Sequence, residues 1–282
     1  GHQFDVHADA DFTQHLLEIV FPHYLAPVPS MTVARLTPDP AQGGMDTGFL
    51  LERGTILRSP LREGEQTPCD FRTAHDVTLW PLEIAQTEYL DGRSELVTRG
   101  LEGNRQARAA IRLRLRRTDG KPIADLPLDT LSLHLSGADR EPWILHELIL
   151  ARGAGLAAKS TDRRRDWVAH AAGAPIAPAG FAPEEALLPR PAQSFDGYRL
   201  IQEYFALPER FFFTRLSGLR PLIGRAEGAE VDLYILLSDS APELRATLAP
   251  ESFSLFATPA INLFAKRCDR VHVDGRRTEY EV

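Results

Sequence analysis

Apolar and polar residues alternate with a period of two along much of the chain. Residues 111–116 read Ile-Arg-Leu-Arg-Leu-Arg, and residues 131–136 read Leu-Ser-Leu-His-Leu-Ser. Successive side chains of a β-strand point to opposite faces, so both segments are predicted to be strands of an antiparallel sheet with one face toward solvent. Further strands are predicted at residues 211–216, 231–237, 253–256 and 271–273, with a last strand after Gly275.

Helical spacing is confined to a few shorter segments. Residues 11–24 have apolar side chains three or four residues apart, namely Phe12, Leu16, Ile19 and Val20. This spacing predicts an amphipathic helix near the start of the chain. Two more helices are predicted at residues 143–148 and 198–205, and a short one follows the capping box at residues 240–243.

The order of these elements predicts a mainly β fold with short helices, of the α+β class. Residues 1–30 are expected to form a helical lead-in, and residues 31–150 a first β-rich domain. Alanine, glycine and proline recur between residues 169 and 191, so residues 151–195 are interpreted as a connection or docking arm between two β-rich modules, a hypothetical hinge. Residues 196–282 are expected to add a helix and a second β-rich domain that is truncated at its C-terminus.

Composition and charge narrow the classes of function. The 282 residues carry 32 basic and 39 acidic side chains, and the net charge of −7 argues against a nucleic-acid or anionic-membrane partner. No window approaches the roughly 18 apolar residues that cross a bilayer, and no signal peptide is recognisable. Cys69 and Cys268 stand alone, which favours free thiols in a reducing compartment such as the cytoplasm. The Gly-His start and the interrupted final strand suggest a piece of a longer protein.

The sequence contains little that points to catalysis. Metalloprotease, nucleophile-elbow, P-loop and EF-hand motifs are not found. Residues 153–158, Gly-Ala-Gly-Leu-Ala-Ala, match the G-x-G-x-x-A fingerprint of dinucleotide-binding turns, but a helical pattern precedes them where a buried strand is needed. A plain loop is therefore expected there, and no catalytic residue, cofactor or metal site is predicted.

Two features could form an interface. Arg112, Arg114 and Arg116 lie on one face of a predicted strand, where they would either grip an acidic partner or form a solvated face. Phe211 and Phe213 flank a third phenylalanine, and three in a row place bulky rings on both faces of one strand. Either an interior strand or a partner contact would supply the cover that these rings need.

Four separate stretches follow a shared family pattern. Residues 21–31 read FPHYLAPVPSM. Arg-Gly-Thr at 53–55, followed by TPCDFRTAHDV at 67–77, forms the second stretch, and residues 205–219 contain LPERFFF. Residues 258–267 read TPAINLFAKR. In this order the stretches resemble the TssF family (also called ImpG or VasA), the baseplate subunit of bacterial type VI secretion systems. The signature residues are Pro22, Pro29, Phe71, Arg72, Asp76, Pro208, Phe212, Asn262, Leu263 and Phe264.

The resemblance implies a structural role. TssF-like proteins pair with a second TssF copy, clasp a TssG-like subunit, and recruit TssK-like and TssE-like subunits. Their wedges support the contractile sheath and tube in a cytoplasmic baseplate that docks to the inner-membrane complex. The fold is expected to resemble the wedge proteins of contractile phages, with no catalytic residue, no obligatory cofactor and no direct membrane insertion. A carbohydrate-binding or adhesive β-module, using Trp80 or Trp143 to stack on sugars, is the alternative.

Overall fold

Antiparallel β-sheets make up most of the fold. The computed structural model describes residues 26–39, 44–61, 67–162, 164–189 and 195–266. Its strands are β1 (Met31–Arg35), β2 (Phe49–Leu51), β3 (Ile56–Arg58), β4 (Asp70–Thr73), β5 (Val77–Leu79), β6 (Leu82–Asp91), β7 (Ala109–Arg117), β8 (Thr130–Leu135), β9 (Gly153–Lys159), β10 (Val168–His170), β11 (Ile176–Ala179), β12 (Phe213–Ser217), β13 (Glu230–Leu237), β14 (Phe253–Leu255) and β15 (Ala257–Ile261). Its α-helices are α1 (Arg93–Thr98), α2 (Glu141–Arg152), α3 (Asp196–Ala206), α4 (Arg220–Ile223) and α5 (Leu244–Thr247). The predicted mainly β class is confirmed.

The largest sheet has five strands in the order β10-β9-β13-β7-β6. Its two central hydrophobic strands, β7 and β13, pair in a register that sets Leu113 opposite Leu233. Ile111, Leu113 and Leu115 are fully buried, whereas the arginines between them are only partly covered on the other face. This alternation follows the sequence pattern, and each such buried side chain stabilises the fold by about 1.5–3 kcal/mol.

A second sheet, in the order β11-β12-β8-β14, packs against the first. Leu131, Leu133 and Leu135 on β8 belong to the same buried cluster as Ile111 on β7, so one continuous core joins the two sheets. A third sheet has the order β1-β15-β4-β3, and β2 and β5 form a two-stranded ribbon. Among the helices in the described ranges, none has the length and apolar content needed to cross a membrane.

The predicted division into two sequential β-rich modules is wrong. Strands from residues 31–150 and from residues 196–282 share every one of the three larger sheets: β7 pairs with β13, β8 with β12, and β4 with β15. The hydrophobic pattern predicts which side chains are buried but carries no information on which distant strand completes the ladder. The two ranges are therefore interleaved parts of one core.

The predicted connection at residues 151–195 is also not a linker. Gly153–Lys159 forms β9, which lies between β10 and β13 in the largest sheet, and Ile176–Ala179 forms β11, which pairs with β12. The glycine-rich fingerprint is thus part of a strand rather than a loop. A Cβ atom on Gly153 would overlap the carbonyl oxygen of Ile149, so the close passage from α2 into β9 requires glycine.

Most predicted helices are present within the described ranges. Helix α2 contains the predicted segment 143–148, and α3 contains residues 198–205. The strand predicted from Phe211 begins at Phe213, after a 3₁₀ turn at Pro208–Phe211. The predicted helix at residues 11–24, together with Pro22, and the predicted strands beyond residue 270 lie outside the described residues.

Candidate interaction surface

The arginine row on β7 is paired within its own sheet. Arg114 donates to both carboxylate oxygens of Asp232, with Nε–Oδ1 and Nη2–Oδ2 distances of 2.8 and 2.9 Å. Arg112 lies 3.1 Å from a carboxylate oxygen of Glu88. Arg116 contacts carboxylates on both neighbouring strands, Glu83 and Glu230. Because these carboxylates come from β6 and β13, the row ties three strands together instead of presenting unpaired positive charge.

The three consecutive phenylalanines are interior. Phe213 is 1% exposed and packs edge-on against the ring of His75, at a centroid distance of 4.9 Å. Phe211 and Phe212 are also buried, and Phe212 meets Trp143 in a T-shaped contact at 4.5 Å. Only Phe213 lies in the strand β12, whereas Phe211 and Phe212 lie in the turn before it, and this chain covers all three rings.

Helix α3 directs its charged residues inward and its apolar residues outward. Arg199 and Glu203 are 1% and 0% exposed, whereas Ile201 and Phe205 are 56% and 81% exposed. A surface helix normally turns its apolar stripe toward the core. The spacing of apolar residues predicts the helix correctly but does not reveal that this face is open. The sequence signal for the inverted orientation is the i, i+4 pair Arg199 and Glu203 on the opposite face.

A buried network of ion pairs holds α3 in this orientation. The guanidinium of Arg199 donates to both oxygens of Asp196 at 2.9 Å, and its Nη1 donates to Oε1 of Glu203 at 3.1 Å. Arg210, which is fully buried in the turn after α3, forms a second ion pair with Glu203. Glu203 therefore lies between two guanidinium groups, which offset the cost of removing its charge from water.

Backbone groups complete the same network. Oε1 of Glu203 also accepts hydrogen bonds from the backbone N–H groups of Leu187 and Leu188, at 3.1 and 2.9 Å. Nη2 of Arg210 donates to the carbonyl oxygen of Glu185 at 3.0 Å. These contacts attach α3 to the segment between β11 and α3, so polar contacts hold one face of the helix while Ile201 and Phe205 on the other face are exposed.

Two apolar grooves flank the exposed ridge of Ile201 and Phe205. The first, which we call the Val28 groove, has a volume of about 730 Å³ and lies between α3 and the segment that leads into β1. The second, the Trp143 groove, has a volume of about 530 Å³ and lies between α3, α2 and the turn after α3. The Val28 groove is lined by residues that include Val28, Pro29, Met31, Tyr198, Ile201 and Phe205. The Trp143 groove is lined by residues that include Trp143, Phe181, Leu200, Tyr204, Phe205 and Phe212.

Several signature residues connect separate elements of the chain through hydrogen bonds or packing. The side-chain amide of Asn262 donates to the carbonyl oxygen of Asp70 at 2.7 Å and joins the end of β15 to β4. Oδ1 of Asp76 accepts a hydrogen bond of 2.7 Å from the backbone N–H of Arg53. Leu263 packs against the small buried cluster that contains Leu187. These residues fix how the third sheet meets the neighbouring loops.

The remaining signature residues lie in strands, turns and the Val28 groove. Phe71 and Arg72 belong to β4, and Pro208 begins the turn after α3. Pro29 lines the Val28 groove, and Phe264 is partly exposed beyond β15. The described parts of the four stretches, which are far apart in sequence, therefore converge around the third sheet and α3.

A smaller polar cavity of about 260 Å³ lies beside this junction. His75 lines it, is 8% exposed, and packs beside Phe213. Burial lowers the pKa of His75 to about 4, with Glu185 opposing and Arg210 adding to the shift. His75 is therefore neutral at pH 7. In the ranges that the structure describes, no three His, Cys, Asp or Glu side chains form a group that could hold a metal ion.

The chain is similar to known proteins both in sequence and in structure. The family model described as "Type VI secretion system, TssF" matches residues 7–282. The type VI secretion system component TssF1 of Pseudomonas aeruginosa is 45% identical over 271 residues, which cover 96% of this chain and 44% of that relative. A chain in the cryo-electron microscopy structure of the TssK-TssF-TssG baseplate subcomplex matches 96% of this chain and 48% of its own length, with 27% identity and a TM-score of 0.73. This chain, which spans less than half the length of these relatives, belongs to the TssF family of the type VI secretion system.

Proposed function

We propose that the protein is a structural subunit of a type VI secretion baseplate that assembles with TssG-like and TssK-like subunits. The observation that carries the proposal is the match of 96% of the chain, at a TM-score of 0.73, to a chain of a solved TssK-TssF-TssG baseplate subcomplex. The 45% identity to a TssF1 component supports the same role. The role is structural rather than catalytic, since the family is defined by a secretion-machine component.

Finer features of the role follow from the sequence resemblance. A second TssF copy and a TssE-like subunit are proposed as further neighbours, and the assembly is proposed to support the contractile sheath from the cytoplasmic side of the inner membrane. The paired arginine row on β7 contributes to this role indirectly, because its ion pairs stiffen the sheet that must transmit force. The interleaved sheets supply the rigid body that such a subunit needs.

The Trp143 groove is the surface that we propose for a subunit contact. Trp143 and Phe181 are 42% and 44% exposed, and they border a groove whose lining is almost entirely aromatic and aliphatic. Exposed apolar patches of this kind mark interaction sites, and aromatic residues carry a large share of binding energy where they are desolvated. Of the two tryptophans that the alternative sugar-binding β-module would use, Trp80 is 7% exposed and cannot present its ring to a ligand, and only Trp143 is exposed.

The experiment is size-exclusion chromatography with light scattering on the full-length protein mixed with the TssG-like and TssK-like subunits of the same bacterium. We expect co-elution at the mass of a mixed complex. Trp143→Ala is expected to weaken binding by about 10-fold or more if this groove is the contact. Val97→Ala, which truncates an exposed apolar residue on α1, is the matched control and should leave binding unchanged.

The two parts of the proposal fail separately. If the unmodified protein elutes apart from both subunits, the proposed baseplate role is wrong. If it co-elutes but Trp143→Ala binds as tightly as Val97→Ala, the role stands and the groove is not the contact surface.

A further inference from the structure

Arg210 is a charged residue that has no exposed side-chain surface. It is 0% exposed and lies in the 3₁₀ turn Pro208–Phe211, where the phenylalanines that line the Trp143 groove begin. Arginine is almost never fully buried unless it is paired, because its charge loses the solvation of water. The ion pair with Glu203 offsets this cost, but one ion pair does not need the planar fork of donors that distinguishes arginine from lysine. The other contacts of Arg210 show what this fork holds.

Arg210 connects its own turn to two other segments of the chain. Its Nη1 pairs with Glu203 on α3, while its Nη2 donates to the carbonyl oxygens of Gly180 and Glu185 on the segment after β11. The backbone N–H of Gly180 in turn donates to the carboxylate of Glu185 at 2.8 Å. A Cβ atom on Gly180 would lie 2.9 Å from the carbonyl oxygen of Arg210, so the two backbones pass closely at this point. One guanidinium thus holds α3 and the segment after β11 against the turn.

The three segments that Arg210 joins each carry an aromatic ring of the Trp143 groove. The guanidinium carbon lies 4.4 Å from the centre of the Phe211 ring. The Phe211 ring contacts Phe181, on the segment after β11, at 5.0 Å between ring centroids, and Tyr204, on α3, at 6.2 Å. Tyr204 then contacts Trp143, on α2, at 6.1 Å. The spacing of these rings therefore depends on where the guanidinium of Arg210 lies.

We propose that Arg210 is the positioning residue of the Trp143 groove, because it sets the spacing of the rings that a partner contacts. Groups that are already held in their bound arrangement bind more tightly, since less freedom is lost on association. Arg210 has no exposed surface with which to touch a partner, so it acts through Phe211 and α3. The effect on binding rests on the proposed function, whereas the effect on the shape of the groove can be measured without a partner.

The first test observes the groove in the full-length protein alone. Tryptophan is replaced biosynthetically by 5-fluorotryptophan, and the fluorine resonance of Trp143 is assigned by its loss in Trp143→Phe. Arg210→Lys keeps a positive charge beside Glu203 but has no planar fork, so it cannot hold Gly180 and stack on Phe211 at the same time. We expect the Trp143 resonance to shift or broaden in this variant.

Asp232→Asn is the matched control. Asp232 pairs with Arg114 in the largest sheet and does not line the groove, so this variant breaks a different ion pair. The Trp143 resonance should keep its position in Asp232→Asn. An unmoved Trp143 resonance in Arg210→Lys would overturn the inference. An equal shift in both variants would also overturn it, because a general loss of stability would then explain the shift.

A second variant keeps the test decisive if Arg210→Lys does not fold. Phe211→Leu leaves the ion pair of Arg210 in place and removes the ring that joins Phe181 to Tyr204. The same change of the Trp143 resonance is expected, and its absence would overturn the inference.

The last measurement is the affinity for the TssG-like and TssK-like subunits, by isothermal titration calorimetry. Arg210→Lys should bind about 10-fold more weakly, whereas Asp232→Asn should bind as tightly as the unmodified protein. An unchanged affinity of Arg210→Lys, where the unmodified protein binds, would overturn the inference. If the unmodified protein binds neither subunit, the proposed function is wrong, and a moved Trp143 resonance still supports the role of Arg210 in shaping the groove.

Discussion

Neutralising Glu203 tests the inverted orientation of α3 most sharply. Glu203→Gln keeps the shape of the side chain and one oxygen that can accept from the backbone N–H groups of Leu187 and Leu188. It removes the negative charge between Arg199 and Arg210, both of which are almost completely buried. Removing one partner of a buried ion pair costs about 3–5 kcal/mol, because the other charge stays in the interior without compensation.

The size of this effect can be measured by urea unfolding. The free energy of unfolding falls by about 3 kcal/mol for each molar of urea, so a loss of about 3–5 kcal/mol in stability lowers the urea concentration at the unfolding midpoint by about 1–2 M. Glu83→Gln is the matched control, since Glu83 pairs with Arg116 where both side chains are nearly half exposed. Exposed pairs contribute about 0–1 kcal/mol, so this control should barely move the midpoint. Equal shifts for Glu203→Gln and Glu83→Gln would refute the argument that buried charge holds α3.

Three further predictions use the same unfolding measurement. The pKa of His75 is about 4 in the folded protein and 6.5 in the unfolded chain, so the unfolded chain takes up the proton first as the pH falls. His75 therefore lowers the free energy of unfolding by about 2 kcal/mol between pH 7 and pH 5. His75→Asn should reduce the pH dependence of this free energy by that amount, and an unchanged dependence would contradict the prediction. Gly180→Ala should lower the free energy of unfolding by about 1–3 kcal/mol more than Gly173→Ala. Both glycines have a positive φ, but only at Gly180 would a Cβ atom lie 2.9 Å from a backbone oxygen. Equal losses for the two variants would contradict this prediction. Asp232→Asn should destabilise by about 2–4 kcal/mol by breaking the paired bonds with Arg114, and a loss below 1 kcal/mol would show that the pair is not structural.

Local features of the fold could be predicted because they depend on residues that are close together in the sequence. The alternation along residues 111–116 specifies which side chains of β7 face the core, and Ile111, Leu113 and Leu115 are completely buried in the structure. The apolar spacing at residues 198–205 likewise specifies a helix, which is α3. Both patterns arise from the geometry of a single element and need no knowledge of its neighbours.

Long-range features could not be predicted from one sequence. The pairing of Leu113 with Leu233 joins strands more than a hundred residues apart, and no local pattern specifies it. Residues 153–159 are rich in glycine and alanine and resemble a loop in composition, yet they form the interior strand β9, in which Ala157 and Ala158 are fully buried. Which face of α3 is buried depends on Arg210, which lies outside the helix and supplies the second charge for Glu203.

Cryo-electron microscopy of the full-length protein in complex with its TssG-like and TssK-like subunits would show both the assembly and the contact surface. We expect one particle that contains all three subunits, with the three interleaved sheets intact and the Trp143 groove covered by a neighbouring chain. A particle in which this part of the protein contacts neither subunit would contradict the proposed baseplate role. A groove that faces solvent in an otherwise complete particle would contradict the assignment of its contact surface.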